Sequence, residues 1–202
     1  MADHRERFER WRKRLPPRTS YLIDRVLDQV VPECAARGIV WHGDYAGGNP
    51  QEVAASTIPL QRRAGPDWPT IELQFSNRTH PFFKVYFGVL PPVCRRLGLE
   101  AVPRERACIV YAPAYFLLCK GRDKTGYDSL FGYRWFTFFP RSRLDVEVAQ
   151  AVQLLPIVFD LVDRGIPDAW ITHDRGYVDQ HVKLAGSWKI YQDLQSRRAS
   201  DR

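Results

Sequence analysis

Apolar residues recur at helical spacing towards both ends of the chain and at strand spacing in its middle. Phe8, Trp11 and Leu15 predict a short amphipathic helix over residues 4–15, stopped by Pro16-Pro17. Thr19 or Ser20 is placed to cap a second helix that runs to about Arg37. Its buried face would carry Leu22, Val26, Leu27, Val30, Val31 and Cys34. Pro32 predicts a kink or boundary within it, and Gly38 ends it as a C-terminal cap would. Ile39–Trp41 reads as a short strand, residues 43–55 as a Gly-rich loop, and Thr57–Arg63 as another strand.

After a Gly65-Pro66 turn comes strict alternation. Ile71, Leu73 and Phe75 interleave with Glu72, Gln74 and Ser76; Phe83, Val85, Phe87 and Val89 interleave with Lys84, Tyr86 and Gly88. This predicts a hairpin turning at 77–81, with one buried and one more polar face. Pro91-Pro92 would open a short helix through Leu97, followed by strands near Cys108–Tyr111 and Tyr115–Lys120 and a polar turn at 121–126. Tyr133–Phe139 reads as an aromatic strand. Ser142 can cap a helix starting near Leu144, divided at Pro156 and ended by Gly165, and a last helix is expected over Val178–Ser196. Strands grouped between helices predict a single α+β domain over residues 19–196. Its sheet would be mainly antiparallel, with flanking N- and C-terminal helices. A basic N-terminal segment, 1–18, and a basic tail, 197–202, would lie outside it.

Composition narrows the class. The 202 residues are 45% hydrophobic and 13% aromatic, enough for one full core. The longest apolar run, Ala107–Cys119, is interrupted by Pro113 and too short to span a bilayer, so no transmembrane segment is expected. The first thirty residues lack an apolar signal core, and Asp3, Glu6 and Glu9 do not suit a transit peptide. A cytoplasmic protein is therefore expected. Cys34, Cys94, Cys108 and Cys119 show no C-x-x-C spacing, and reduced thiols are expected in place of disulfides or zinc.

The net charge of +7 is unevenly spread: +4 over residues 1–18, +3 over 183–202, and zero between. The basic character belongs to the ends. Arg5, Arg7, Arg10, Arg12, Lys13, Arg14 and Arg18 surround Phe8 and Trp11, a composition able to meet phosphate backbones, an anionic membrane surface or an acidic partner protein.

Several stretches resemble catalytic chemistry. His42-Gly43-Asp44, with Asn49 five residues beyond Asp44, resembles the catalytic loop of aminoglycoside-phosphotransferase-type kinases, with Asp67-Trp68 in the place of their second metal ligand. That resemblance implies a proton-accepting Asp44 and a magnesium-holding Asn49. Those enzymes need a nucleotide-binding lobe ahead of the loop; only 41 residues precede His42, without a Gly-rich loop, and Pro50-Gln51 stand where the family has an apolar strand. The likeness is expected to be coincidence. Asp67, Glu72 and Lys84, with Gln74, resemble the PD-(D/E)xK nuclease pattern, which implies Mg²⁺ held by Asp67 and Glu72. Gln74 stands where that pattern has lysine, and a solvated hairpin face with a Glu72–Lys84 cross-strand pair is the expectation. The strand Phe131–Phe139 is similar to the aromatic strand of RNA-recognition motifs, but Arg134 occupies a small-residue position, and burial under helices is expected. His42, Asp44, His173, Asp174 and His181 have the types for a metal or general-base pair without diagnostic spacing.

The reading that emerges is a non-enzymatic cytoplasmic binding protein without a cofactor. It would engage an acidic macromolecule, protein or nucleic acid, through its basic termini; bacterial immunity or regulatory modules are of this kind. The alternative is a metal-dependent nuclease or other phosphate-ester enzyme, with candidates His42, Asp44, Asp67, Glu72 and Lys84.

Overall fold

The structure is a computed structural model. It describes residues 3–42, 55–76, 80–94, 101–112, 115–120, 130–133, 140–164 and the backbone of 171–173. Helix α1 spans His4–Arg12 and is capped by Asp3, whose carboxylate accepts from the Arg5 N–H at 3.2 Å. Helix α2, Pro17–Ala36, begins earlier than a Thr19 or Ser20 cap would set it. Proline at its first position is pre-organised for a helix and spares one unpaired N–H, so no side-chain cap is used. Thr19 is instead buried inside the first turn. The helix continues through Pro32, which faces solvent where water can satisfy the freed carbonyl. Gly38 ends it at φ +71°, with the Ile39 N–H returning to the Cys34 carbonyl at 3.0 Å.

The strands are β1 (Thr57–Gln61), β2 (Trp68–Phe75), β3 (Phe82–Leu90), β4 (Tyr115–Leu118), β5 (Phe131–Gly132) and β6 (Ile171–His173). They form an antiparallel sheet in the order β1-β2-β3-β4-β6, with β5 pairing beside β4 on β3. The expected strand at 39–41 is a single bridge from Val40 to Gln61. Helix α3, Pro140–Arg164, closes the fold against α2. Pro156 does not divide it, because that residue too is exposed and the opposite face is anchored by Leu155, Val158 and Phe159. The chain is thus an α+β domain, as the grouping of periodicities predicts.

Odd positions of the hairpin, Ile71, Leu73, Phe75, Phe83, Val85 and Phe87, face the helices in one large core with Val26, Val30, Leu144 and Val148. Phe8 of α1 belongs to the same core and is completely buried, edge-on to Trp41 at 5.3 Å and against Phe75 at 6.1 Å. Helix α1 thus contributes to the domain centre through Phe8.

The opposite face departs from expectation. Trp68, Tyr86, Leu90 and Leu117 are covered by Cys94 and by residues 101–112, an arm that lies over the sheet through Ala107, Cys108, Ile109 and Tyr111. The hairpin strands are buried on both sides for most of their length, leaving Gln74 exposed and Phe82 and Lys84 half-exposed. Ile109–Tyr111 is one turn of 3-10 helix, not a strand. A short apolar run does not reveal by periodicity which buried conformation it adopts. Nor do residues 91–94 begin a helix: Cys94 instead bridges to Val102. Two arginines fix the arm, with Arg104 stacked 3.9 Å over the Trp68 ring and Arg63 donating to the Glu105 carbonyl at 3.1 Å. Strand β5 stops at Gly132, ahead of the expected aromatic strand, and Tyr133 is not in a strand; residues 134–139 and the expected helix 178–196 lie outside the described residues.

Candidate functional site

The carboxylate hairpin is a structural joint. Asp67 sits in the bend before β2, whereas Glu72 lies five residues further along, about 16 Å at strand rise. Glu72 points into the arm-covered layer and accepts the Ile109 N–H at 2.6 Å, capping the 3-10 turn. Lys84 stands opposite Gln74, and its ammonium reaches the Tyr86 hydroxyl at 3.4 Å. The expected Glu72–Lys84 pairing is replaced by this register, and Asp67 and Glu72 are not brought onto one ion. Among the described residues no group of three or more His, Cys, Asp or Glu side chains is arranged to hold a metal. Adding Mg²⁺ to the full chain is accordingly expected to leave its thermal midpoint unchanged. A rise that disappears in both Asp67→Ala and Glu72→Ala would instead establish a site there.

His42 donates from Nε2 to the Gln61 carbonyl at 3.1 Å, tying the residues after Val40 to β1. Asp44, Asn49, Asp174 and His181 lie outside the described residues, and His173 is seen only as the backbone partner of Phe116. The four cysteines are free and buried. Burial pushes the Cys34 thiol up to about 12 and that of Cys94 up to about 11, which leaves neither thiolate at neutral pH.

The most enclosed carboxylate among the described residues belongs to none of these motifs. Glu147 is 1% exposed on the apolar stripe of α3, between Leu144 and Val148. It pairs with Lys120 at 2.5 Å and Arg143 at 2.6 Å, and accepts the Gly132 N–H at 3.2 Å. Its place on a helix face otherwise made of Leu144, Val148, Ala151 and Leu155 was the available signal. With every oxygen satisfied by the fold, it joins α3 to β5 and to the bend after β4 as a strut.

The basic corner between α1 and α2 has the opposite character. Phe8, Trp11 and Leu15 turn inward, so Trp11 is packed on the core and only partly exposed. Arg12 bonds Asp24 and approaches Glu9 at 3.6 Å, which sets the angle between the two helices. Arg5 lies over Trp41 at 4.7 Å, and Arg7 is half-buried. Arg10, Lys13, Arg14 and Arg18 remain. They are exposed and make no ion pair among the described residues. Of the sequence-derived partner residues Arg5, Arg7, Arg10, Trp11, Arg12, Lys13 and Arg14, three are left wholly available, joined by Arg18. Beside them, Tyr21 donates to Asp145 at 2.9 Å, a bond that raises its hydroxyl above the ordinary tyrosine range, and Arg25 bonds the same carboxylate at 2.8 Å. Arg141, at the start of α3, lies over the Tyr21 ring at 5.4 Å.

Among the described residues no helix is long and apolar enough to cross a membrane. No family model, curated protein or solved structure matches the chain.

Proposed function

We propose that this is a non-enzymatic, cytosolic binding protein that engages an acidic macromolecule through the basic corner of its N-terminal helices. The supporting observation is the set of four exposed cations, Arg10, Lys13, Arg14 and Arg18, which make no ion pair among the described residues, while the neighbouring Glu9, Asp24 and Asp145 are engaged by Arg12 and Arg25. Charges that served only the fold would be expected in pairs, as Arg12 and Arg25 are. Unpaired like charges on one corner repel each other modestly and are relieved by a polyanion. The second basic end falls outside the described residues and joins the reading from sequence alone.

The test follows from the packing. Deleting residues 1–18 would remove Phe8 from the core, so loss of binding after truncation would be ambiguous. Neutralising Arg10, Lys13, Arg14 and Arg18 to Gln touches only exposed side chains. The full chain is expected to bind both polyglutamate and nucleic-acid polyanions measurably at low salt. The quadruple variant should lose most of that binding with its thermal midpoint unchanged. A wild-type chain that binds no polyanion, or a variant that binds as well as wild type, would overturn the reading.

A further inference from the structure

We infer that the partner is a nucleic acid, held by its phosphate backbone along a track that runs from the α1–α2 corner onto the start of α3, with Arg141 as its far contact. This rests on the binding role proposed above and names both the partner and a residue that the charge of the termini does not suggest. Arg141 belongs to the electrically neutral body of the sequence. The fold brings it over Tyr21, one helical turn beyond Arg18, and it too is exposed without an ion pair among the described residues.

The surroundings discriminate among acidic partners. Protein interfaces draw their energy from buried apolar and aromatic anchors. Membrane-surface helices draw theirs from an inserted apolar face. Among the described residues of α1 and α2 neither is present: Phe8, Trp11, Leu15 and Tyr21 pack on the core, and of the exposed large apolar side chains Val93 is on no helix while Val146 stands singly on α3, five residues past Arg141. What the track offers is charge, four guanidinium groups and one ammonium, on backbone braced by the Arg12–Asp24 and Arg25–Asp145 pairs. Guanidinium forks match phosphate oxygens in pairs, and backbone contact needs no apolar anchor because counterion release drives it. Such contacts carry no sequence information, so preference among base sequences is expected to be slight.

The experiment is fluorescence anisotropy of a labelled mixed-sequence DNA duplex against the full chain over a range of salt. Five phosphate contacts predict a slope of about −4.5 in log K against log salt, or roughly 500-fold weaker binding between about 50 and 200 mM salt. Arg141→Gln should weaken binding and reduce the slope by about 0.9, as should Arg14→Gln, while Arg164→Gln on the far end of α3 should do neither. Unchanged affinity and slope in Arg141→Gln would overturn the track. Parallel arms use polyglutamate and vesicles containing anionic lipid. Salt-sensitive binding to either of those, with none to the duplex, would overturn the nucleic-acid partner while leaving the coarser binding role standing. Silence in all three arms would remove both.

Discussion

Replacing Gly132 by alanine is expected to destabilise the protein by about 4 kcal/mol, which for a chain of this size lowers the thermal midpoint by roughly 8–16 °C. Two costs combine. Gly132 holds φ +140°, a region that residues with a Cβ enter only under strain, worth about 1–3 kcal/mol. A Cβ there would also overlap the Pro81 carbonyl oxygen and stand 2.6 Å from the Phe82 Cα, so backbone must move. That movement opens the β5–β3 pairing at Phe82 and shifts the N–H that Glu147 accepts. Overpacking of this kind adds about 1–3 kcal/mol. Gly65→Ala is the control: its φ is +74° and nothing lies within 4 Å of the new carbon, so only about 1 kcal/mol is expected. Urea denaturation of both variants decides the matter, and equal losses would refute the role assigned to the Pro81 contact.

Phe8→Ala should cost about as much, again about 4 kcal/mol, because a fully buried phenylalanine leaves a cavity its neighbours cannot close. The ring touches Trp11, Trp41 and Phe75, three large groups held by three separate parts of the chain. The loss should appear in the main cooperative transition. An unchanged midpoint, with only early loss of helical signal, would mean that α1 frays independently of the core. That distinction bears on function, because a basic corner on a detached helix would present its charges in no fixed arrangement.

Much of the framework is legible in the sequence. The Phe8–Trp11–Leu15 spacing finds α1, and the alternation from Ile71 to Val89 finds the paired strands β2 and β3. What escapes are matters that local pattern does not encode. Whether Glu72 and Tyr86 face water depends on the arm at 101–112, and no residue within the hairpin strands signals its presence. Pro32 and Pro156 read as breaks because the cost of proline is local, whereas the packing that holds each helix through it is not. The charge of the N-terminal end can be counted directly, but which arginines are already engaged cannot: Arg12 is engaged by Asp24, and Arg141 reaches the same surface from the other end of the domain. Glu147 was visible as a carboxylate on an apolar stripe, yet its cations come from Lys120, two residues past β4, and from Arg143 one turn away.

The packing of α2 on α3 has a consequence for synthesis. Tyr21 and Asp145, which bond across that junction, are 124 residues apart. A ribosome adding about 5–20 residues per second therefore leaves the apolar face of α2 without its partner for roughly 6–25 s. During that interval Leu22, Val26 and Val30 are open to the nascent sheet or to a chaperone. The helix made second is thus among the last to find its place.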